Sequence, residues 1–306
     1  MARLKFKQDG TFTIVQFTDL HCENGDELDV RTNQLMEQIL GEEKPDLVVF
    51  TGDLIYSPNS ADPKAALRGA IEPAVKANVP WAAVFGNHDT EEGISKEELL
   101  SVMKESHYCL AEAGEVSGTG NFIVELAGST AEEPQWAFFF LDSGMDNPNK
   151  LVGGYDFIKR DQIEWYVKES SALKERYSAA PAELHFFHIP LPEYKQVWES
   201  GNYAGNMKEG EICSPEVNSG LFSAMVEMGN VKGTFVGHDH LNDFCGELYG
   251  VKLCYGRATG YNGYGDEDFP RGARVIKLQE GSREFESYLR LADGSKVVQE
   301  KETIKG

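Results

Sequence analysis
The chain has 306 residues, 41% of them hydrophobic, and a formal net charge of −21 from 29 basic and 50 acidic side chains. That length supports one large α/β domain with a sizeable core, and the acidic excess excludes general nucleic-acid binding, because a polyanion is repelled over most of such a surface. No apolar run approaches the ~20 residues that span a bilayer, and the start, MARLKFKQDGTF, lacks the apolar stretch of a signal peptide, so a cytoplasmic protein with no membrane association is expected.

Apolar runs of strand length alternate with helical patterns over the first two thirds. Residues 12–18 read as a strand with an imperfect alternation at Phe12, Ile14 and Phe17. Residues 30–43 follow as a helix with Leu35, Met36, Ile39 and Leu40 on one face. A short buried-type strand over 46–51 leads to a helix over 62–77, with Asp62 as N-cap and Pro63 at its first position. A strand over 80–85 precedes another helix, announced by the capping-box pair Ser95 and Glu98.

Residues 121–126 and 135–141 read as a strand pair. An amphipathic helix is expected over 157–173, with Ile163, Tyr166, Val167 and Leu173 facing inward. A strand at 183–187, a helix at 215–228 and a strand at 231–236 follow. Beyond them only strands are expected, at 242–248, 251–255 and 274–279, with a hairpin around Ala292-Asp293-Gly294. Alternation early and antiparallel strands late imply α/β architecture with two mixed sheets. No segment resembles a linker, so residues 1–306 are taken as a single domain.

The cysteines, Cys22, Cys109, Cys213, Cys245 and Cys254, form no CxxC, which argues against a zinc ribbon or a thioredoxin-type site. If Tyr249-Gly250 is a two-residue turn, Leu248 faces Val251 and Cys245 faces Cys254, within disulfide reach. A reduced pair is expected in the cytosol, and a bridged one in an oxidising compartment.

The informative feature is what ends each strand: Asp19-Leu20-His21, Gly52-Asp53, Gly86-Asn87-His88-Asp89, His188, and Gly237-His238-Asp239-His240. Carboxyl ends of strands gather along one edge of an open α/β sheet. Five such ends would bring carboxylate, amide oxygen and imidazole into one crevice, a donor set suited to hard or borderline divalent ions. The glycines before Asp53, Asn87 and His238 suit sharp turns or close backbone approach. Taken singly, a strand-end Asp or His is usually a turn or cap residue. Asp142, Asp146, Asp156, His107 and His185 keep that reading.

As an ordered set, these blocks resemble the calcineurin-like metallophosphoesterase superfamily, whose signature is D-x-H, G-D, G-N-H-[DE], a lone H and G-H-x-H. Here they read DLH, GDL, GNHD, His188 of LHFFHIP, and GHDH. HFFHIPLPEY, GHDHLNDFCGELYG and YNGYG followed by RGARV resemble a purple-acid-phosphatase-like branch, extending the likeness to about residue 280. The resemblance implies a four-layer α/β/β/α sandwich of two mixed sheets flanked by helices. It implies two metal ions (Fe, Mn or Zn, divalent or mixed-valence), one held by Asp19, His21, Asp53 and His240, the other by Asp53, Asn87, His188 and His238. His88 would sit over the substrate and give a proton or hydrogen bond. Gly52-Asp53-Leu54-Ile55-Tyr56 also fits the G-D-x-x-Y in which purple acid phosphatases use the Tyr as a ligand in place of the first-block His. Both are present here; His21 is the expected ligand, and Tyr56 a packing or outer residue.

The resemblance implies a hydrolase that attacks phosphorus in line with a metal-activated hydroxide. The expected substrate is a phosphorylated small molecule or a phosphoprotein. A phosphodiesterase on the same site and a non-catalytic metal-binding scaffold are the alternatives; a Rossmann-type cofactor enzyme lacks any G-x-G-x-x-G after the first strand. Asp89 is read either as orienting His88 or as a turn residue. Asp239, Asn242 and Asp243 are candidates for the outer nitrogens of the imidazoles, and YNGYG lines the mouth of the site or is a surface loop. Arg257, Arg271 and Arg274 are left outside the site, as ion-paired or surface residues.

Overall fold
The computed structural model describes residues 2–299. The chain opens with β1 (Ala2–Lys5) and β2 (Thr11–Phe17), then α1 (Glu27–Glu43), whose N-cap Asp26 accepts the backbone N–H groups of Leu28 and Asp29. β3 (Leu47–Thr51) is followed by α2 (Pro63–Lys76), capped by Asp62 with proline at its first position. β4 (Trp81–Val84) leads to α3 (Lys96–Met103), where Ser95 and Glu98 close the capping box. β5 (Phe122–Ala127) and β6 (Pro134–Phe140) form an antiparallel pair before α4 (Arg160–Arg176). Then come β7 (Ala182–Phe186), α5 (Glu193–Ser200), β8 (Tyr203–Ala204), α6 (Leu221–Met228) and β9 (Val231–Val236). The last third carries β10 (Cys245–Leu248), β11 (Val251–Tyr255), β12 (Gly272–Gln279), β13 (Phe285–Leu291) and β14 (Lys296–Val297).

One sheet has the order β14-β13-β12-β2-β3-β4, the other β1-β5-β6-β7-β9-β11-β10-β8, and both mix parallel and antiparallel pairs. Their inner faces meet through Phe12 against Phe138 and Phe235 against Phe285. On the outer face of the first sheet, α1 to α3 bury Leu35, Met36, Ile39, Leu67 and Leu99 in the same core. On the outer face of the second, α4 to α6 bury Tyr166, Leu173, Val197 and Met225 against Phe139, Leu253 and Tyr255. This is the four-layer sandwich with two mixed sheets. No helix among the described residues is long and apolar enough to cross a membrane.

Some boundaries move from the sequence reading for identifiable reasons. The helix expected from residue 215 begins at Leu221, because Gly220 at φ 89° stops it from starting earlier. The helix expected over 157–173 begins at Arg160, where the Gln162 side chain accepts the Lys159 N–H at 2.7 Å, and runs on to Arg176. Within it, Ile163 and Val167 are only partly buried beside Tyr166 and Leu173. β10 starts at Cys245 because Asn242 and Asp243 bond side chains around the site instead. β1, α5 and β8 had no expectation. The cysteine register holds: Tyr249 (φ 49°) and Gly250 (φ 81°) form the turn, and Cys245 pairs with Cys254. Of the two expected redox states the structure holds the bridged one, with the Cα atoms 4.0 Å apart.

Candidate metal centre
The five motif-bearing strand ends converge. Three belong to neighbouring parallel strands of one sheet, β2, β3 and β4, and two to the parallel neighbours β7 and β9 of the other. Each apolar strand anchors itself in the core and releases its polar residues just past its last ladder bond. The backbone there turns sharply: Asp19, His21, Asp53 and His238 take φ of 55°, 50°, 50° and 81°. Such values are rare for residues with a Cβ and cluster at sites whose surroundings enforce them. Close approach explains two of the preceding glycines, since a Cβ on Gly86 would overlap the Asp53 carboxylate and one on Gly237 would overlap Thr18.

Asp19, His21, Asp53 and His240 each offer an atom within 4.8 Å of the other three, and so do Asp53, His188 and His238 among themselves. His21 Nε2 lies 3.0 Å from His240 Nε2 and 3.5 Å from Asp53 Oδ2, and His240 Nε2 lies 3.7 Å from Asp19 Oδ1. On the other side, His188 Nε2 is 3.2 Å from Asp53 Oδ2, 3.1 Å from Asn87 Oδ1 and 3.3 Å from His238 Nδ1. Asp53 Oδ2 belongs to both sets. All these side chains are buried.

The donor chemistry fits cations. His240 Nδ1 faces the Tyr264 carbonyl at 3.0 Å and so carries the hydrogen, leaving the lone pair of Nε2 aimed at another imidazole nitrogen. His238 Nε2 has no partner among the described residues. Burial pulls His21 and His240 down to about 4, and His238 well below its usual value, so all three are neutral at pH 7 and available as ligands. Burial also works against charge on His188, but the Asp53 and Asp19 carboxylates and the Thr51 carbonyl outweigh it and raise that imidazole to about 9. Burial opposes charge on Asp53 too, yet His188 and His21 hold its carboxyl well below the usual range. Positive charge is therefore favoured at His188 Nε2, where the oxygens of Asp53 and Asn87 meet. Ligands ~2.1 Å from a common ion lie about 3–4 Å from one another, which is the spacing found here.

The groups behind these side chains differ in part from expectation. Two of the outer nitrogens are met by backbone carbonyls, Thr51 for His188 at 2.8 Å and Tyr264 for His240. Asp239 instead accepts from Tyr255 Oη at 2.6 Å and from the Cys213 N–H, while Asp243 pairs with Arg257. Asp89 is a turn residue: its carboxylate accepts the N–H groups of Gly86, Asp53 and Ile55 at 2.7, 3.1 and 2.9 Å. The partner of His88 is Glu91, which faces its Nδ1, and Ser57 Oγ both donates to the His88 carbonyl and accepts the Glu91 N–H. Glu91 escaped the sequence reading although it lies three residues along the same turn.

His88 is partly exposed, with its ring centroid 5.2 Å from that of His21. Tyr56 packs beside both rings, at 5.3 Å from His88 and 6.1 Å from His21. YNGYG lines the centre: the Tyr264 ring stacks on His240 at 4.0 Å, and a Cβ on Gly263 would lie 2.5 Å from His240 Cε1. Tyr155, not singled out in the sequence, stands edge-on to His238 at 4.4 Å. Arg257 and Arg274 are buried on Asp243 and backbone carbonyls. Asp142 and Asp156 pair with lysines, and His185 is buried against Phe139 and Tyr166, clear of the centre.

A crevice between two mixed sheets, lined by strand-end Asp, Asn and His side chains, defines the metallophosphoesterase class. The family model described as calcineurin-like phosphoesterase matches residues 12–242, and the chain belongs to that family. Within it, the chain lies in the purple-acid-phosphatase-like branch. It is 34% identical over 305 residues to "Probable inactive purple acid phosphatase 29" of Arabidopsis thaliana, covering 90% of this chain and 78% of that protein. It is 32% identical to "Phosphatase DCR2" of Saccharomyces cerevisiae, over 83% of this chain and 49% of that one. In fold it is similar to a dimetal phosphatase from Danio rerio, with a TM-score of 0.60 and 17% identity, covering 90% of this chain and 98% of that one.

Proposed function
We propose that this protein is a dinuclear-metal phosphoester hydrolase acting as a phosphatase, with Asp19, His21, Asp53 and His240 around one ion and Asp53, Asn87, His188 and His238 around the other. The observation that carries the reading is the sharing of Asp53 Oδ2 by two buried clusters of carboxylate and imidazole side chains, the arrangement that suits two cations bridged by one carboxylate. When bound, the ions supply Lewis acidity to the phosphoryl oxygens and to the attacking water.

The chain's own residues supply the rest. With its Nδ1 on Glu91, His88 has Nε2 left to give a proton or hydrogen bond to the leaving oxygen. Asp89 ties the Asp53 turn to the GNHD turn, which keeps the shared carboxylate and His88 in register. Tyr264 and the Thr51 carbonyl set the tautomers of His240 and His188.

The names of the relatives pull two ways, since one is called inactive and another a phosphatase. The complete set of candidate ligands, with His88 beside them, favours turnover. The substrate is a phosphorylated small molecule or phosphoprotein. Metal analysis of protein purified without chelator, with turnover of p-nitrophenyl phosphate and its bis ester, tests the reading. About two ions per chain and faster monoester cleavage are expected. Faster diester cleavage would make it a phosphodiesterase, and bound metal with no turnover of either would make it a scaffold.

A further inference from the structure
Beside the metal centre, behind the Gly263–Tyr264 backbone, lies a cavity of about 650 Å³ lined in part by Arg31, Tyr261 and Arg271. Neither arginine forms an ion pair among the described residues, although acidic side chains outnumber basic ones in this chain by 50 to 29. Arg271 is nine-tenths buried. Its Nη2 donates to the carbonyls of Gly263 and Tyr264, both at 2.7 Å, while Nε and Nη1 have no hydrogen-bond partner among the described residues. The carboxylate that acts on it most, Asp19, does so without forming an ion pair, whereas buried guanidinium groups are normally paired. Arg31 lies with its guanidinium carbon 3.8 Å above the centre of the Tyr261 ring and makes no hydrogen bond among the described residues.

The two arginines are held in fixed relation to each other and to the metal centre. Tyr261 N–H donates to Thr32 Oγ1 at 3.0 Å and Asn262 Nδ2 to Asp29 Oδ1 at 2.7 Å, which ties the 261–264 segment to the start of α1. The Tyr264 carbonyl that accepts from Arg271 also accepts from His240 Nδ1, so a single carbonyl separates Arg271 from a candidate ligand. Asp266, Glu267 and Asp293 also line the cavity and, like Arg31, are exposed; Lys208 faces Asp266, and Asp293 accepts from Ser295.

We propose that this cavity is a second anion subsite, in which Arg31 and Arg271 receive a phosphate, carboxylate or similar anionic group that the substrate carries besides the phosphoryl group at the metals. The inference rests on the phosphoesterase reading and narrows it to phosphoesters with a second anionic group. Guanidinium is suited to such groups as a permanent cation with several donors: Arg271, whose Nη2 is taken by the two carbonyls, offers single charge-assisted hydrogen bonds from Nε and Nη1, and Arg31 keeps its planar fork free for two oxygens. Arg31, on its surface helix, selects substrates that reach the cavity, and Arg271 forms the floor.

The test has two arms. In the first, sulfate binding to chelator-treated protein is measured by calorimetry for the native chain, Arg31→Gln and Arg31→Lys. In the second, kcat/KM of the metal-loaded protein is compared between butyl phosphate and alkanediol bisphosphates of three to six carbons. The native protein is expected to bind sulfate and to favour one bisphosphate length about ten- to a hundredfold through KM, the size of one charge-assisted hydrogen bond. In Arg31→Gln, sulfate binding is lost and the ratio collapses towards one; Arg31→Lys restores part of both. Sulfate binding with a ratio near one in the native protein overturns the proposal and makes the cavity a site for a free anion. No sulfate binding together with a ratio near one, or a ratio unchanged in Arg31→Gln, also overturns it. Sulfate binding that depends on Arg31, with no turnover of any phosphoester, keeps the anion site and defeats the phosphoesterase reading.

Discussion
Asp53 carries more of this site than any other residue, because its Oδ2 faces His21 on one side and His188 on the other. Its Oδ1 meanwhile accepts the His88 N–H at 2.8 Å. Asp53→Asn keeps the shape and removes the charge, so metal content is expected to fall for both ions and most activity to disappear. Tyr56→Phe serves as the control and should be nearly silent in metal analysis and turnover, since the Tyr56 hydroxyl makes no hydrogen bond among the described residues. Normal metal and turnover in Asp53→Asn would remove the bridging assignment. His88 is separable from the metals. In His88→Ala, kcat/KM for an alkyl phosphate is expected to drop by about 10²–10⁴-fold, the usual worth of general acid catalysis. The loss for p-nitrophenyl phosphate should be much smaller, because that leaving group needs little protonation. Equal losses with missing metal would make His88 a structural residue.

At the scale of the element, turns carry the site and hydrogen bonds hold the turns. Asp89 accepts three buried backbone N–H groups from two different turns, and its carboxyl is pushed up to about 7 by burial and the neighbouring Asp53. Asp89→Ala strands those donors at ~1–3 kcal/mol each. Thermal denaturation should show a fall in Tm of several degrees, and metal occupancy should drop although no proposed ligand has changed. Unaltered Tm and metal content would show that water replaces the carboxylate. The β10–β11 hairpin makes a different prediction. Cys245 and Cys254 sit in register and are joined, so alkylation under denaturing conditions without reductant should leave both unlabelled and add two labels only after reduction. Cys22, Cys109 and Cys213 are free and label in either case, so five labelled cysteines without reductant, in place of three, would show a reduced pair in the isolated protein.

Across the whole molecule, the candidate ligands come from both sheets: Asp19, His21, Asp53 and Asn87 from one, His188, His238 and His240 from the other. Ions held there would tie the sheets together along one edge of the sandwich, and their binding free energy would add to that of folding. At a free concentration 100 times the Kd, an ion stabilises the fold by ~2.7 kcal/mol. Chelation should therefore lower Tm by about 5 °C or more, given ~2–4 °C per kcal/mol for large domains. Adding manganese, zinc or iron back should restore it. A Tm indifferent to chelator would mean that the sheets are held by their aromatic core alone.

The sequence by itself determined the chemistry of the centre and the order in which its parts occur. Strand propensity, caps and turn residues are local, so Asp62 and Ser95 as helix caps, β9 with its stated ends, and the ligand types at five strand ends could all be read along the chain. The Cys245–Cys254 register was legible for the same reason, since one hairpin turn sets it. Tertiary structure alone decided which groups stand behind that centre. Glu91 rather than Asp89 faces His88, and backbone carbonyls of Thr51 and Tyr264 rather than Asp239 or Asp243 take the imidazole hydrogens. The positive φ of Asp19, His21, Asp53 and His238 belongs here as well, because Asp and His only tolerate it somewhat better than other residues with a Cβ and the packed strand ends impose it. These choices depend on contacts between residues as much as 219 positions apart, such as His21 with His240. A sequence encodes such contacts only through the packing of two sheets, which no local pattern reports.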